Sequence, residues 1–150
     1  GAGDYGAIMK IADIVRHKGD QVVTIAPTAT VAELLALLAE HRIGAVVVSD
    51  DGTAVSGIVS ERDVVRHLHT TGAQILDSEV QGIMTKQVHT CGPDDDLVTL
   101  AGQMTERRIR HVPVVSDDAL VAIVSIGDVV KSRIDTLQAE ADQLRDYIQT

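Results

Sequence analysis

Two short stretches of this 150-residue chain, Ile58-Val59-Ser60-x-x-Asp63 and Ile123-Val124-Ser125-x-x-Asp128, bring together groups that can hold a sugar diol. A carboxylate accepts hydrogen bonds from both hydroxyls of a ribose, and the free backbone N–H groups at a helix start suit a phosphate. The same spacing also caps a helix with no ligand, because Ser at the N-cap and Asp three residues on satisfy each other's backbone. Its recurrence in both halves of the chain tilts the reading toward a pair of nucleotide sites. The second half adds Arg110-His111 directly before Val112-Pro113-Val114, where the first half has Gly44-Ala45 before Val46-Val47-Val48. Two unlike sites are therefore expected, one grasping phosphate and one roomier.

Other chemistries find less support. No G-x-S-x-G elbow surrounds Ser60 or Ser125, and no histidine stands where it would serve as their base. The six histidines, at 17, 41, 67, 69, 89 and 111, lack the i, i+4 pair plus third ligand of a helix-borne zinc site. Asp pairs and triplets at 50–51, 94–96 and 117–118 fall at turns and helix starts, where they read as caps rather than calcium ligands. Cys91 is the single cysteine, read as a buried thiol in a strand. Gly1-Ala2-Gly3-Asp4-Tyr5-Gly6 spells G-x-G-x-x-G with no strand before it, and reads as a frayed end. No catalytic residue and no metal is expected.

These residues are placed by a duplication. Sliding the chain by 66 aligns Gln21-Val22-x-Thr24-x-x-Pro27 with Gln87-Val88-x-Thr90-x-x-Pro93, and Arg42-Ile43 with Arg108-Ile109. With one residue lost in the second turn, the two Ile-Val-Ser-x-x-Asp stretches align as well. In all, 18 of 43 aligned positions are identical, well beyond chance, so the halves share a fold. Within one copy, Val22 to Ile25 is a short strand closed by Pro27, and Thr30-x-x-Glu33 caps a helix to about His41. Ala45 to Ser49 and Val55 to Ser60 are strands around an Asp50-Asp51-Gly52 turn, and a helix runs from Glu61 to about Thr70. The unit is β-α-β-β-α. The expected organisation is a tail and lead-in helix over 1–16, repeat one over 17–71, a connector over 72–83, repeat two over 84–135 and a helical extension over 136–150. A unit of about 55 residues is marginal alone, so the two pack through their sheets as one α+β module.

Composition narrows the partners. Apolar residues make up 45% of the chain, with two Tyr and no Phe or Trp, so the core is built of small branched side chains and no aromatic platform exists for bases. A net charge of −9 argues against a nucleic-acid face, which needs Lys and Arg to neutralise phosphates. No apolar run approaches the roughly 20 residues of a membrane span, and a lone cysteine fits an intracellular, cytoplasmic protein. In the last helix Val130, Ile134, Leu137, Ala141, Leu144 and Ile148 recur at spacings of 4, 3, 4, 3 and 4, the seam of a coiled coil, and predict a homodimer contact.

The tandem units with Gly44-Ala45-Val46-Val47-Val48, Arg110-His111-Val112-Pro113-Val114 and the two Ile-Val-Ser-x-x-Asp junctions resemble a CBS-domain pair, or Bateman module, over roughly residues 12–135. The chain is similar to the small stand-alone bacterial members. The resemblance implies an adenine nucleotide, such as AMP, ATP, NAD(H) or S-adenosylmethionine, bound between repeats as a regulatory ligand, with an unidentified effector protein reading the change. It implies one site joining Ser60, Glu61, Arg62 and Asp63 to Thr85, Lys86, Val88, Arg110, His111 and Pro113. It implies a second joining Ser125, Ile126, Gly127 and Asp128 to Lys18, Gly19, Asp20, Val22, Gly44, Ala45 and Val46. Val47 departs from the pattern where the second copy has Pro113. A dimerisation scaffold without a ligand is the competing expectation.

Overall fold

The computed structural model describes residues 9–19 and 22–149. The elements run α1 (Ile11–Lys18), β1 (Thr24–Ile25), α2 (Val31–His41), β2 (Ala45–Val48), β3 (Gly57–Ser60) and α3 (Glu61–Thr71). Two 3-10 turns follow, Ala73–Asp77 and Val80–Gly82, then α4 (Leu97–Arg107), β4 (His111–Ser116), β5 (Ala119–Ser125) and α5 (Ile126–Gln149). The G-x-G-x-x-G stretch and Asp20 lie outside the described residues.

Local chemistry sets the boundaries. The Thr30 hydroxyl accepts from Glu33 N at 3.1 Å and starts α2. Arg42 then ends it in the left-handed region, φ 54, with Arg108 doing the same for α4 at φ 56. Such a conformation is uncommon outside glycine, and its presence at the same place in both copies reflects their common turn. Gly72, at φ 89, closes α3. Asp117 and Asp118, φ 52 and 62, form the two-residue turn that joins β4 to β5, with both central residues left-handed as a primed hairpin turn demands.

In the first repeat β1 pairs parallel with β2, and β2 antiparallel with β3, aligning Ala45 with Ser60. In the second, β4 and β5 pair antiparallel and align His111 with Ser125. The strand expected around Cys91 is reduced to a single parallel bridge, Cys91 to Val114, equivalent under the 66-residue shift to Ile25 with Val48. The copy has lost β-branched content here: His89 and Gly92 replace Val23 and Ala26, and both changes weaken a short strand.

Each repeat has its own apolar core. The first gathers Val31, Leu34, Val46, Val48 and Val59, all fully buried; the second gathers Leu100, Met104, Val112, Val114 and Val124. Burying each such side chain is worth roughly 1.5–3 kcal/mol. Each core is completed by the segment that precedes the other repeat. Ile11 and Ile14 of α1 lie in the second core, while Ile75, Val80 and Ile83 of the connector lie in the first. The backbone bonds match pair by pair. Ile11 N donates to Asp95 O at 3.0 Å and Ala12 N to Pro93 O at 2.8 Å; Val80 N donates to Ala29 O at 2.8 Å and Gln81 N to Pro27 O at 3.1 Å. The helix α1 also extends to Lys18, past the boundary expected after residue 16. This reciprocal crossing holds the module together. It brings the end of one lead-in, Thr85, beside the last strand of the other repeat, where Ile58 and Thr85 exchange bonds of 3.0 and 2.8 Å.

Candidate functional site

The Ile58–Thr85 bridge lies at the edge of a cavity of about 510 Å³, within the size range of small-molecule sites. Its first wall is the β3–α3 junction. Ser60 N donates to Asp63 Oδ2 at 2.9 Å, and Asp63 N donates to Ser60 Oγ at 3.3 Å, so the pair caps α3 as a closed box. Arg66, one helical turn on, lies 3.7 Å from the other carboxylate oxygen. Asp63 is 9% exposed and lines the cavity, and its second oxygen is the one for which a diol would compete.

The opposite wall carries positive charge. It comes from Arg107, Arg108 and Arg110, and with Arg62 and Arg66 of α3 five arginines line the cavity, against only Glu61 and Asp63. In a chain of net charge −9 this is a strongly localised reversal, and it focuses the field that an anion would follow. Ile58, Val88 and Ile109 supply the apolar lining. The lining is close at Gly44, where a Cβ would stand 3.3 Å from Glu61 Oε1 and 3.6 Å from His111 Cε1.

The second Ser-x-x-Asp junction repeats the cap but not its surroundings. Ser125 N donates to Asp128 Oδ2 at 2.9 Å, and Asp128 N to Ser125 Oγ at 3.1 Å. Lys18 Nζ then donates to Asp128 Oδ2 at 2.6 Å and to Ile123 O at 2.9 Å. At the first junction, the backbone of Thr85 takes the corresponding place beside Ile58. Burial pushes the Asp128 carboxyl up, but the Lys18 ammonium and the Ser125 N–H outweigh it and hold it below the usual carboxylate range. His111 lies within reach of both junctions. Burial pushes its imidazole below the ordinary value, the Lys18 charge adds to this, and Asp128 and Glu61 oppose it.

The model of the CBS domain matches this chain twice, over residues 11–70 and 80–135. The chain belongs to the CBS domain family. It is 32% identical to the CBS domain-containing protein CBSX3, mitochondrial, of Arabidopsis thaliana over 147 residues, spanning 93% of this chain and 71% of that protein. The CBS-domain containing protein ATU1752 from Agrobacterium tumefaciens shares its fold with a TM-score of 0.80 at 42% identity, over 83% of this chain and 99% of that one. The CBS domain pair of protein MJ0100, solved in complex with 5-methylthioadenosine and S-adenosyl-L-methionine, matches with a TM-score of 0.73 at 25% identity, over 83% and 94% of the two chains.

Within this CBS pair the anticipated residues divide as follows. Ser60, Glu61, Arg62, Asp63, Thr85, Val88, Arg110 and His111 share the cavity. Gly44 and Ala45, anticipated beside Asp128, line the same cavity, because β2 pairs with β3 and sets Ala45 opposite Ser60. Val46 is fully buried in the first core, and Pro113 is buried in β4, where its carbonyl accepts from Cys91 N at 3.0 Å. Neither lines the cavity. Lys86 and Gly127 are exposed, Val22 is half-buried, and Gly19 ends α1 at φ 83. Ile126 packs against the second core, and its N–H donates to Arg110 O at 2.9 Å, as Glu61 N does to Gly44 O. Arg66, Arg107, Arg108, Gln87 and His89 line the cavity as well, beyond the residues expected from the sequence. Arg66 had a signal, its i, i+3 spacing from Asp63; Arg107 and Arg108 reach the cavity through the left-handed turn after α4.

Among the described residues no group of His, Cys, Asp and Glu has a metal-binding arrangement, and no helix is long and apolar enough to cross a membrane. Asp95 and Asp96 accept from Gly92 N and Thr99 N as caps, and the Asp51 carboxylate accepts from Ala54 N at 2.8 Å and Thr53 N at 2.9 Å, which holds its pKa down to about 2.

Proposed function

We propose that this chain is an adenine-nucleotide-binding regulatory module whose ligand occupies the cavity at Asp63. The carrying observation is the pairing of a ribose-competent carboxylate with five arginines around a space of about 510 Å³. The ribose hydroxyls donate to Asp63, the adenine lies against Ile58, Val88 and Ile109, and the phosphates meet Arg110, Arg108 and the start of α3. A related pair, that of MJ0100, was solved with two adenosine compounds, 5-methylthioadenosine and S-adenosyl-L-methionine. Neither carries a phosphate, whereas the arginines here favour one, so ADP or ATP is the preferred class over a sulfonium nucleoside. The module is not catalytic. Ligand binding alters the placement of the repeats and of two subunits that meet through exposed helix faces, with Val65 on α3 and Val130 on α5 related by the duplication and 67% and 50% exposed.

The test is calorimetry and thermal unfolding of nucleotide-stripped protein against AMP, ADP, ATP, NAD and S-adenosylmethionine. Phosphorylated ligands raise the unfolding temperature, with about 2.7 kcal/mol of added stability at a hundredfold excess over Kd. Arg110→Ala weakens ATP far more than adenosine. Silence across the panel leaves the module as a ligand-free dimerisation scaffold.

A further inference from the structure

The helix α5 is 24 residues long, and every described residue from Ala141 onward is exposed. A helix without tertiary packing is marginal in water, because its nucleation cost is not repaid by burial. The side of α5 that does pack is identifiable. Val129 enters the second core, and Ser132 and Thr136 donate to Met9 Sδ at 3.5 and 2.9 Å. At 100° per residue, the seam residues lie roughly a third of a turn away from that side. Ile134 is 58% exposed, Leu144 60% and Ile148 74%, so the seam has no cover in the single chain.

We propose that this seam is covered by a second copy of the chain as a parallel, in-register, two-stranded coiled coil. Two observations choose that occupant and that direction. The heptad places Ile134 and Ile148 at a, with Leu137 and Leu144 at d, the distribution that favours parallel dimers. Charge decides further. In the parallel arrangement Glu140 at g faces Arg145 at e of the other copy, on both sides of the coil, and Arg133 faces the neutral Gln138. The antiparallel arrangement that aligns all six seam residues sets Glu140 against Glu140 and Lys131 against Arg145, both repulsive. Arg145 already reaches Asp142 in its own helix at 3.2 Å, and a guanidinium has donors left for Glu140 of a second chain. Ala141, at the central a position, leaves that layer thin, so the coil is held mainly by the layers on either side.

The coil rests on the dimeric reading above, and the experiment separates the two. Leu144→Cys in the full chain is oxidised and analysed beside sedimentation of the unmodified protein; native Cys91 is buried and does not interfere. The parallel coil sets the two introduced thiols face to face and gives an intermolecular disulfide in most of the dimer. In the antiparallel coil, residue 144 lies opposite 134, so its two copies stand roughly 15 Å apart, beyond disulfide reach. A dimer in which Leu144→Cys fails to cross-link, or in which it links to Ile134→Cys in mixed samples, overturns the parallel coil and leaves the dimer standing. A monomer overturns both. Glu140→Arg raises the dimer Kd on the order of tenfold, and the double exchange Glu140→Arg/Arg145→Glu restores it. An unchanged Kd in the single variant also overturns the proposal.

Discussion

Lys18 Nζ lies 2.6 Å from Asp128 Oδ2, so the carboxylate that corresponds to Asp63 in the other repeat is already held by a cation of the same chain. The two Ser-x-x-Asp junctions are therefore unequal in a way their shared motif conceals. A diol can compete for the Asp63 oxygen that faces Arg66 at 3.7 Å, whereas at Asp128 it must first displace an ammonium. Lys18→Ala consequently adds a second, weaker nucleotide site, read as a rise in calorimetric stoichiometry. Its stability cost is small, about 0.5–1 kcal/mol at pH 7, because the two side chains are 36% and 25% exposed. The sign follows from the lowered Asp128 value: the contribution is present above about pH 4, the unfolded value, and is lost as pH falls through the folded one. Urea unfolding of the two proteins should differ at pH 7 and converge in acid.

His111 lines the cavity and pairs in the sheet with Ser125, and the charges of Lys18, Asp128, Glu61 and Arg110 all act on it. Its pKa is depressed, so it is neutral at pH 7, and its contribution to stability is present above about 6.5 and lost as pH falls through the folded value. A phosphate brought into the cavity favours the imidazolium and draws a proton onto the ring. Nucleotide binding therefore tightens between pH 7 and 6 and takes up protons, seen as a dependence of the binding heat on the buffer's ionisation enthalpy. His111→Gln removes both effects; a buffer-independent heat in the native protein would refute the role.

Asp63 separates capping from recognition. Asp63→Ala leaves Ser60 N without its 2.9 Å acceptor and costs about 1 kcal/mol in stability, a typical capping loss. Asp63→Asn keeps an amide oxygen for that N–H and folds with nearly native stability, but a neutral amide is a poorer acceptor for two hydroxyls. Its nucleotide Kd rises at least about tenfold, as expected for losing a charge-assisted pair. Native affinity in Asp63→Asn would leave Asp63 as a cap alone.

Much of this was legible in the chain because it is written in local chemistry. Thr30, Ser60 and Gly72 each mark a helix end by a side-chain acceptor or a left-handed turn, and α2 ends at His41 as its leucine spacing predicts. The reciprocal crossing was not legible. The 66-residue shift aligns the repeats but not their lead-ins, since α1 is an α-helix and its counterpart at Val80 a 3-10 turn. Their equivalence resides in backbone bonds to Asp95 and Ala29, which leave no pattern in side chains. Arg107 and Arg108 escaped for a similar reason: a left-handed C-cap, not a period, turns that corner toward the cavity.

Gly57 tests the crossing directly. A Cβ at this position would stand 2.6 Å from Met84 Sδ and 2.9 Å from both Met84 Cγ and Thr85 O. Met84 packs against the first core, and Thr85 O is held by Ile58 N at 3.0 Å, so the lead-in cannot retreat without losing the bond that joins one repeat to the other. Gly57→Ala should cost about 1–3 kcal/mol, the range for overpacking a closed site. Gly82→Ala is the matched control, because a Cβ there meets nothing within 4 Å, and its change should stay within about 0.5 kcal/mol. The measurement is the denaturant midpoint of each variant. Nucleotide affinity should fall with stability in Gly57→Ala, since Thr85 and Ile58 border the cavity and move together. Equal midpoints for the two variants would mean that the β3 edge and the second lead-in are not in tight backbone contact, and that the cavity is not framed by their bridge.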